Sequence, residues 1–256
     1  MILCLDVGNT QIFGGVFNDK ELIFKFRYTS EKTSSSDQIG IFLKNVLSEN
    51  KIDPNDIAKI AICSVVPQSV YSIRSACIKY FGIQAFILEA GVKTGLKIKY
   101  KNPSEVGADR ISNAVAAKTA YPDTNLIIAD FGTATTFCAI SKNAEYLGGV
   151  ILPGLRLSME ALESKTAKLP SVEIIRTQDL VGRTTVESIQ SGLYYGHLFS
   201  VMGIIQKIKE EKFKNENCLV IGTGGFSVLY ENTGVFDQID SDLVLRGLQE
   251  SHQLNV

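Results

Sequence analysis

Apolar and polar positions along this chain fall into two rows of matching elements. MILCLDV (1–7) is a continuous apolar run, and QIFGGVF (11–17) and LIFKFRY (22–28) follow it as further strands, the last two separated by a turn-like NDK. From Ser34 the spacing changes. Ile39, Phe42, Leu43 and Val46 recur at helical intervals, and the Ser34–Asp37 region supplies a natural helix start. IAKIAICSVV (57–66) then reads as a buried strand and VYSIRSACIKYF (70–81) as a helix.

After the turn-forming YPDTN (121–125) the order repeats. LIIAD, TTFCAI and AEYLGGVIL are strands, helices follow, and NCLVIG (217–222) is another strand ahead of another helix. Matching order implies a duplication, with halves at 1–120 and 121–256 and no long polar linker between them. SEVGADRISNAVAAKTAY (104–121) joins them as an alanine-rich helix. Its small residues at 114, 116, 117 and 120 allow close backbone approach, or reflect helix propensity alone.

Bulk properties narrow the function classes. The 256 residues are 45% hydrophobic and 21% charged, with a formal net charge of −1, which removes a general pull toward nucleic acid or an anionic membrane. No apolar stretch approaches the roughly 20 residues of a spanning helix. Asp6 interrupts the first apolar run and no basic segment precedes it, unlike a signal peptide, so a cytoplasmic protein is expected. The five cysteines are scattered, without a CxxC or Cys/His cluster, and read as buried small hydrophobes. His197 and His252 are isolated, so the chemistry falls to carboxylates, hydroxyls and backbone amides.

One phrase is written twice. ILCLDVGNT (2–10) and LIIADFGTATTF (126–137) each carry an apolar run to an aspartate, a hydrophobic residue, a glycine and hydroxyl or amide side chains. Asp6 and Asp130 would emerge at a sheet edge, and Gly8 and Gly132 would turn the chain with N–H groups exposed. Such turns cradle phosphate oxygens, and a nearby carboxylate can hold a hydrated cation. Facing copies would grip a polyphosphate between the halves. A single copy would read as an ordinary turn; two in equivalent places reverse that reading. A third cluster, Gly222-Thr223-Gly224-Gly225 after a strand and before a helix, suits a nucleotide.

The doubled turn and late GTGG resemble the duplicated fold of actin, sugar kinases and heat-shock chaperones. DVGNT (6–10), GADR (107–110), DFGTATT (130–136) and GGVILPG (148–154) resemble type III pantothenate kinases. The resemblance implies an α/β protein of two ribonuclease H-like (actin-like ATPase) domains, each a mixed five-stranded sheet flanked by helices. It also implies ATP-dependent phosphorylation of pantothenate to 4′-phosphopantothenate, opening coenzyme A synthesis, in a homodimer with substrate sites at the subunit boundary.

Carried over residue by residue, the resemblance makes Asp109 the catalytic base. Gly107, Ala108, Arg110, Tyr100 and Thr185 would lie around pantothenate with it. The ATP turn would comprise Asp6, Val7, Gly8, Asn9, Thr10, Gln11, Ile12 and Phe13, with Thr133 on the phosphate. Asp6 would stand near magnesium, through water, and Asp130 would bind a monovalent cation, potassium or ammonium.

Each residue also has a plainer role open to it. Asp109 suits a helix's first turn, Arg110 a surface ion pair, and Tyr100 a strand. Lys93, Lys97, Lys99 and Lys101 could form a solvated face. Thr184 and Glu187 make a capping box, while the family more often has asparagine at Thr184's place. SIQSGLYYGHLFSVMGIIQKIK is apolar on nearly every face and must be covered, with subunit contact the candidate, and His197 reads there as a packing residue. Two rival readings keep part of this picture: the same fold acting on a sugar or short acid, and a nucleotide-binding regulatory protein without turnover. GADR argues against the second, since pure binding needs no carboxylate at an acceptor.

Overall fold

The structure, a computed structural model, describes residues 1–29, 34–214 and 216–256. In chain order its elements begin β1 (Ile2–Val7), β2 (Gln11–Asn18), β3 (Glu21–Thr29), α1 (Ser36–Glu49), β4 (Lys59–Ser64), α2 (Pro67–Phe81), β5 (Phe86–Ile87), β6 (Lys97–Ile98) and α3 (Ala108–Ala120). They continue with β7 (Asn125–Phe131), β8 (Ala134–Ile140), β9 (Glu145–Pro153), α4 (Leu155–Lys165), α5 (Thr185–Ser191), α6 (His197–Phe213), β10 (Cys218–Thr223), β11 (Gln238–Ile239) and α7 (Leu243–Gln253). Two compact units divide the chain. The first is Met1–Leu96, Lys101–Thr119 and Leu243–Val256; the second is Lys97–Tyr100 and Ala120–Asp242.

The first unit's sheet has the order β3-β2-β1-β4-β5. Its strand β1 runs antiparallel to β2 and parallel to β4. Being central, β1 is covered on both faces, which is why its apolar run is unbroken. Leu3, Leu5 and Val7 pack with Ile39, Leu43 and Leu47 of α1 and Ile73 of α2. Ile2 and Cys4, on the opposite face, pack with Val244, Leu245 and Leu248 of α7. Asp6 has the parity of this second face, as do Ala61 and Cys63 of β4.

Local chemistry fixes the helix ends on that scaffold. Ser35 accepts from the Gln38 N–H at 3.2 Å while its own N–H donates to Gln38 Oε1 at 2.8 Å, a capping box that starts α1 where the pattern predicts. The alanine-rich helix starts later than position 104. Pro103–Glu105 forms a separate short turn, with Asn102 accepting from the Ser104 N–H, and α3 begins only at Ala108. Against α3 lies α7, whose Gly247 has no room for a Cβ beside the Ser112 carbonyl. Ser112 Oγ donates to the Val244 carbonyl at 2.7 Å.

In the second unit the sheet order is β11-β10-β7-β8-β9-β6. Without the short β6, this is the first sheet's order and its pattern of directions again: β7 antiparallel to β8, β8 antiparallel to β9, β10 parallel to both β7 and β11. The expected five-stranded sheet thus gains a sixth, edge strand here. Ile127, Ala129 and Phe131 of β7 pack with Leu193, Leu198, Val201 and Ile205.

The long apolar helix is α5 and α6 joined through a π-helical segment, Gly192–Gly196, without leaving helical dihedrals. Its coverage is incomplete in the chain alone, with Phe199 56% and Met202 46% exposed. After β10, where a helix was predicted, Ser227–Thr233 makes only 3₁₀ turns. Asn232 leaves helical dihedrals and Gly234 ends the segment at φ 72°, so this stretch contains poor helix formers. No helix among the described residues is long and apolar enough to cross a membrane.

Candidate active site

Strand β1 delivers Asp6, half-buried, to a tight turn. The Gly8 N–H donates to the Gln11 carbonyl at 3.0 Å, and a Cβ at Gly8 would stand 3.1 Å from that oxygen. Asn9, Thr10 and Gln11 are exposed around the turn, whereas Val7, Ile12 and Phe13 are buried and support it from the core. The Arg27 guanidinium lies 4.1 Å from the centre of the Phe13 ring.

Asp109 is the second residue of α3, and its Oδ1 accepts the Arg110 N–H at 2.8 Å. Gly107 gives this carboxylate its place, since a Cβ there would collide with Asp109 Oδ1. Burial pushes the Asp109 pKa up, opposed by the Arg110 N–H and guanidinium charge. Ala108 packs with the cluster around Ile2 and Cys4, and Arg110 is only 6% exposed, unlike a surface ion-pair partner.

Between these acids in the electrostatic sense stands Cys63. Its thiol donates to Asp6 Oδ1 at 3.2 Å. Burial, then the charges of Asp6 and Asp109, push its pKa well up, so it is a neutral donor. The periodicity of β4 marks Cys63 only as buried. Its contact with Asp6 follows from the β1–β4 register, which the doubled strand order could have supplied.

Asp130 occupies the equivalent place on β7, opposite Thr136 of β8 and Thr223 of β10. The Gly132 N–H donates to the Ala134 carbonyl at 3.1 Å, repeating the closure at Gly8, and Thr133 is exposed in the turn. Gly154, last residue of GGVILPG, braces that turn: its N–H donates to the Thr133 carbonyl at 3.1 Å, and a Cβ would collide with the Gly132 and Thr133 carbonyls. Gly224 adopts φ +83°, and a Cβ there would collide with Asp130 Oδ1.

Tyr100 follows β6 in the same unit, half-buried, its ring centre 6.4 Å from that of Tyr146. Gly148, at φ +126°, lies beneath it; a Cβ would sit 3.7 Å from the Tyr100 ring. Of the nearby lysines, Lys99 pairs with Glu145 at 3.2 Å. Thr184 caps α5 by accepting the Glu187 N–H at 3.2 Å, while the Glu187 carboxylate accepts from the Arg183 N–H at 2.7 Å, one residue earlier than in a standard capping box. Thr185, freed from capping, lines a cleft of about 850 Å³ with Ser158, Arg183, Ser188 and Leu193. His197, just after the π segment, places Nε2 2.9 Å from Thr135 Oγ1 and packs edge-on to Phe131.

Asp6, Gly107, Ala108, Asp109 and Arg110 thus belong to the first unit, and Tyr100, Asp130, Thr133 and Thr185 to the second. Among the described residues no three His, Cys, Asp or Glu side chains converge to cage a metal. A hard carboxylate beside a tight turn, as at Asp6, suits magnesium, which keeps its waters and travels with nucleotide phosphates.

A family model described as type III pantothenate kinase matches residues 2–207. A type III pantothenate kinase of Legionella pneumophila (strain Corby) is 59% identical over 255 residues, covering 100% of this chain and 99% of the relative. A type III pantothenate kinase 1 of Francisella tularensis subsp. holarctica (strain OSU18) is 48% identical over 255 residues, covering 100% of both. Among solved structures, a putative 2-dehydro-3-deoxygalactonokinase from Sinorhizobium meliloti superposes with a TM-score of 0.60 at 10% identity, covering 99% of this chain and 98% of that one. That last likeness is one of overall fold.

Proposed function

The chain belongs to the type III pantothenate kinase family, and from that premise we propose that it phosphorylates pantothenate with Asp109 as general base. The observation that carries this reading is identity of 59% with a named pantothenate kinase along the whole chain, which makes this protein a kinase. The partly buried Asp109, held by Gly107 and the Arg110 N–H, supports its finer assignment.

Phosphoryl transfer passes through a loose transition state, so positioning and charge neutralisation supply most of the rate. Asp109 orients the acceptor hydroxyl and takes its proton late. Its raised pKa makes it a better base than a solvated aspartate. Gly107, Ala108 and Arg110 receive the acceptor, with Arg110 steadying the substrate's carboxylate by paired hydrogen bonds, and Tyr100 is a further substrate-binding residue. The turn from Asp6 to Phe13 and Thr133 receive ATP phosphates through N–H and hydroxyl donors. Asp6 would hold magnesium through water, and the ion would neutralise charge on the ATP phosphates. Asp130 would hold potassium or ammonium, which would supply further positive charge.

The exposed Val186, Phe199 and Met202 on α5 and α6 support a homodimer that covers this face and brings Thr185 to the substrate at the subunit boundary. A cytoplasmic location fits the first step of coenzyme A synthesis. The test is ADP release by the purified chain with magnesium and pantothenate, in potassium against sodium. Pantothenate-dependent, potassium-stimulated turnover is expected; sugars turned over in place of pantothenate would overturn the assignment.

A further inference from the structure

Parallel register between β1 and β4 sets Cys63 directly beside Asp6. The thiol is 0% exposed and donates to Asp6 Oδ1 at 3.2 Å. A carboxylate meant to hold a hydrated cation needs a fixed rotamer, and partners behind it commonly supply that. The second half has a polar side chain at the same station. Thr223 of β10 stands opposite Asp130 in parallel register and is 2% exposed. Its neighbours in the strand, Ile221 and Gly222, are apolar, as Ala61 and Ile62 are beside Cys63. Thus both copies of the duplicated phrase place a buried hydrogen-bonding group at the strand position beside the acid. A cysteine serving only as a small hydrophobe would need no such coincidence.

We propose that Cys63 is a positioning residue whose thiol holds the Asp6 carboxylate in the orientation that receives the hydrated magnesium of the nucleotide. The inference rests on the reading of Asp6 as the magnesium-side carboxylate. Cys63 touches neither substrate nor phosphate in this role; it acts through Asp6.

The test compares the full chain with Cys63→Val, Cys63→Ala, Cys63→Ser and Asp6→Asn. Calorimetry measures binding of ATP with magnesium and of ATP in chelator, and turnover is followed against magnesium concentration. Cys63→Val, which removes the donor yet fills the space, should weaken magnesium-dependent binding roughly tenfold. Binding of metal-free ATP should stay unchanged, and Cys63→Ser should restore the magnesium dependence. Cys63→Ala needs no extra room and carries the same expectation should the valine fail to fold. If Asp6→Asn raises the magnesium requirement while Cys63→Val and Cys63→Ala do not, the role of Cys63 is overturned. If Asp6→Asn leaves it unchanged, the premise about Asp6 falls and the inference with it.

Discussion

Gly107 and Asp109 are locked to one another: a single methyl group on Gly107 would occupy the space of Asp109 Oδ1. The glycine is therefore required by the carboxylate two residues on, independently of any turn. Gly107→Ala should move the acid by a fraction of an ångström and lower kcat roughly 100-fold while the fold persists. Circular dichroism paired with single-turnover kinetics checks both halves of that statement.

Replacing the acid itself should separate activity from stability. Asp109→Asn should cost roughly 10²–10⁴ in kcat. Because burial raises its pKa, folded Asp109 holds its proton more tightly than the unfolded chain does, and stability falls as pH rises through the carboxylate range. The asparagine variant escapes that loss. Its Tm at neutral pH should exceed wild type, with the difference vanishing in acid below the ordinary aspartate pKa.

His197 carries the opposite sign. Burial lowers its pKa, so the unfolded chain binds a proton more readily, and stability is lost as pH falls below about 6.5. His197→Gln should flatten the pH dependence of Tm between about 5 and 7. His252, whose pKa is lowered by burial and then by Lys59, leaves part of that slope in place. Thermal melts across this range decide it.

At Gly224 an alanine would meet both a left-handed backbone and the Asp130 carboxylate. Gly224→Ala should raise the half-saturating potassium concentration for turnover. Gly225→Ala, where a Cβ would meet nothing within 4 Å, is the matched control.

The uncovered face of α6 yields a prediction about assembly. Phe199→Glu adds a charge at a side chain already 56% exposed, which an isolated chain tolerates. Sedimentation should show monomer in place of dimer, with turnover falling in parallel if Thr185 serves the partner's substrate.

Much of the architecture was legible because β1 and β7 are central, and two-sided burial writes itself as an unbroken apolar run ending in an acid. The Ser34–Asp37 region announced the start of α1 in the same direct way. By contrast β5, β6 and β11 span two residues each, too few for any period to register. The π segment at Gly192–Gly196 keeps helical dihedrals and apolar content, so the hydrophobic pattern runs through it without a break. For the candidate site, motif spacing singled out Asp6, Asp109 and Asp130. The groups that touch or closely approach them (Cys63, Gly107, Gly224) come from strand register and close packing, which linear order does not express.

The sheet holding Asp6 is completed from the far end of the chain. Leu245 and Leu248 of α7, both 0% exposed, cover the β1 face that carries Ile2 and Cys4. During synthesis the amino-terminal lobe must therefore wait, one flank bare, until more than a hundred intervening residues have been translated. A chain interrupted before α7 would carry both glycine turns and still leave that lobe unsealed, an aggregation-prone species for the quality-control machinery to remove.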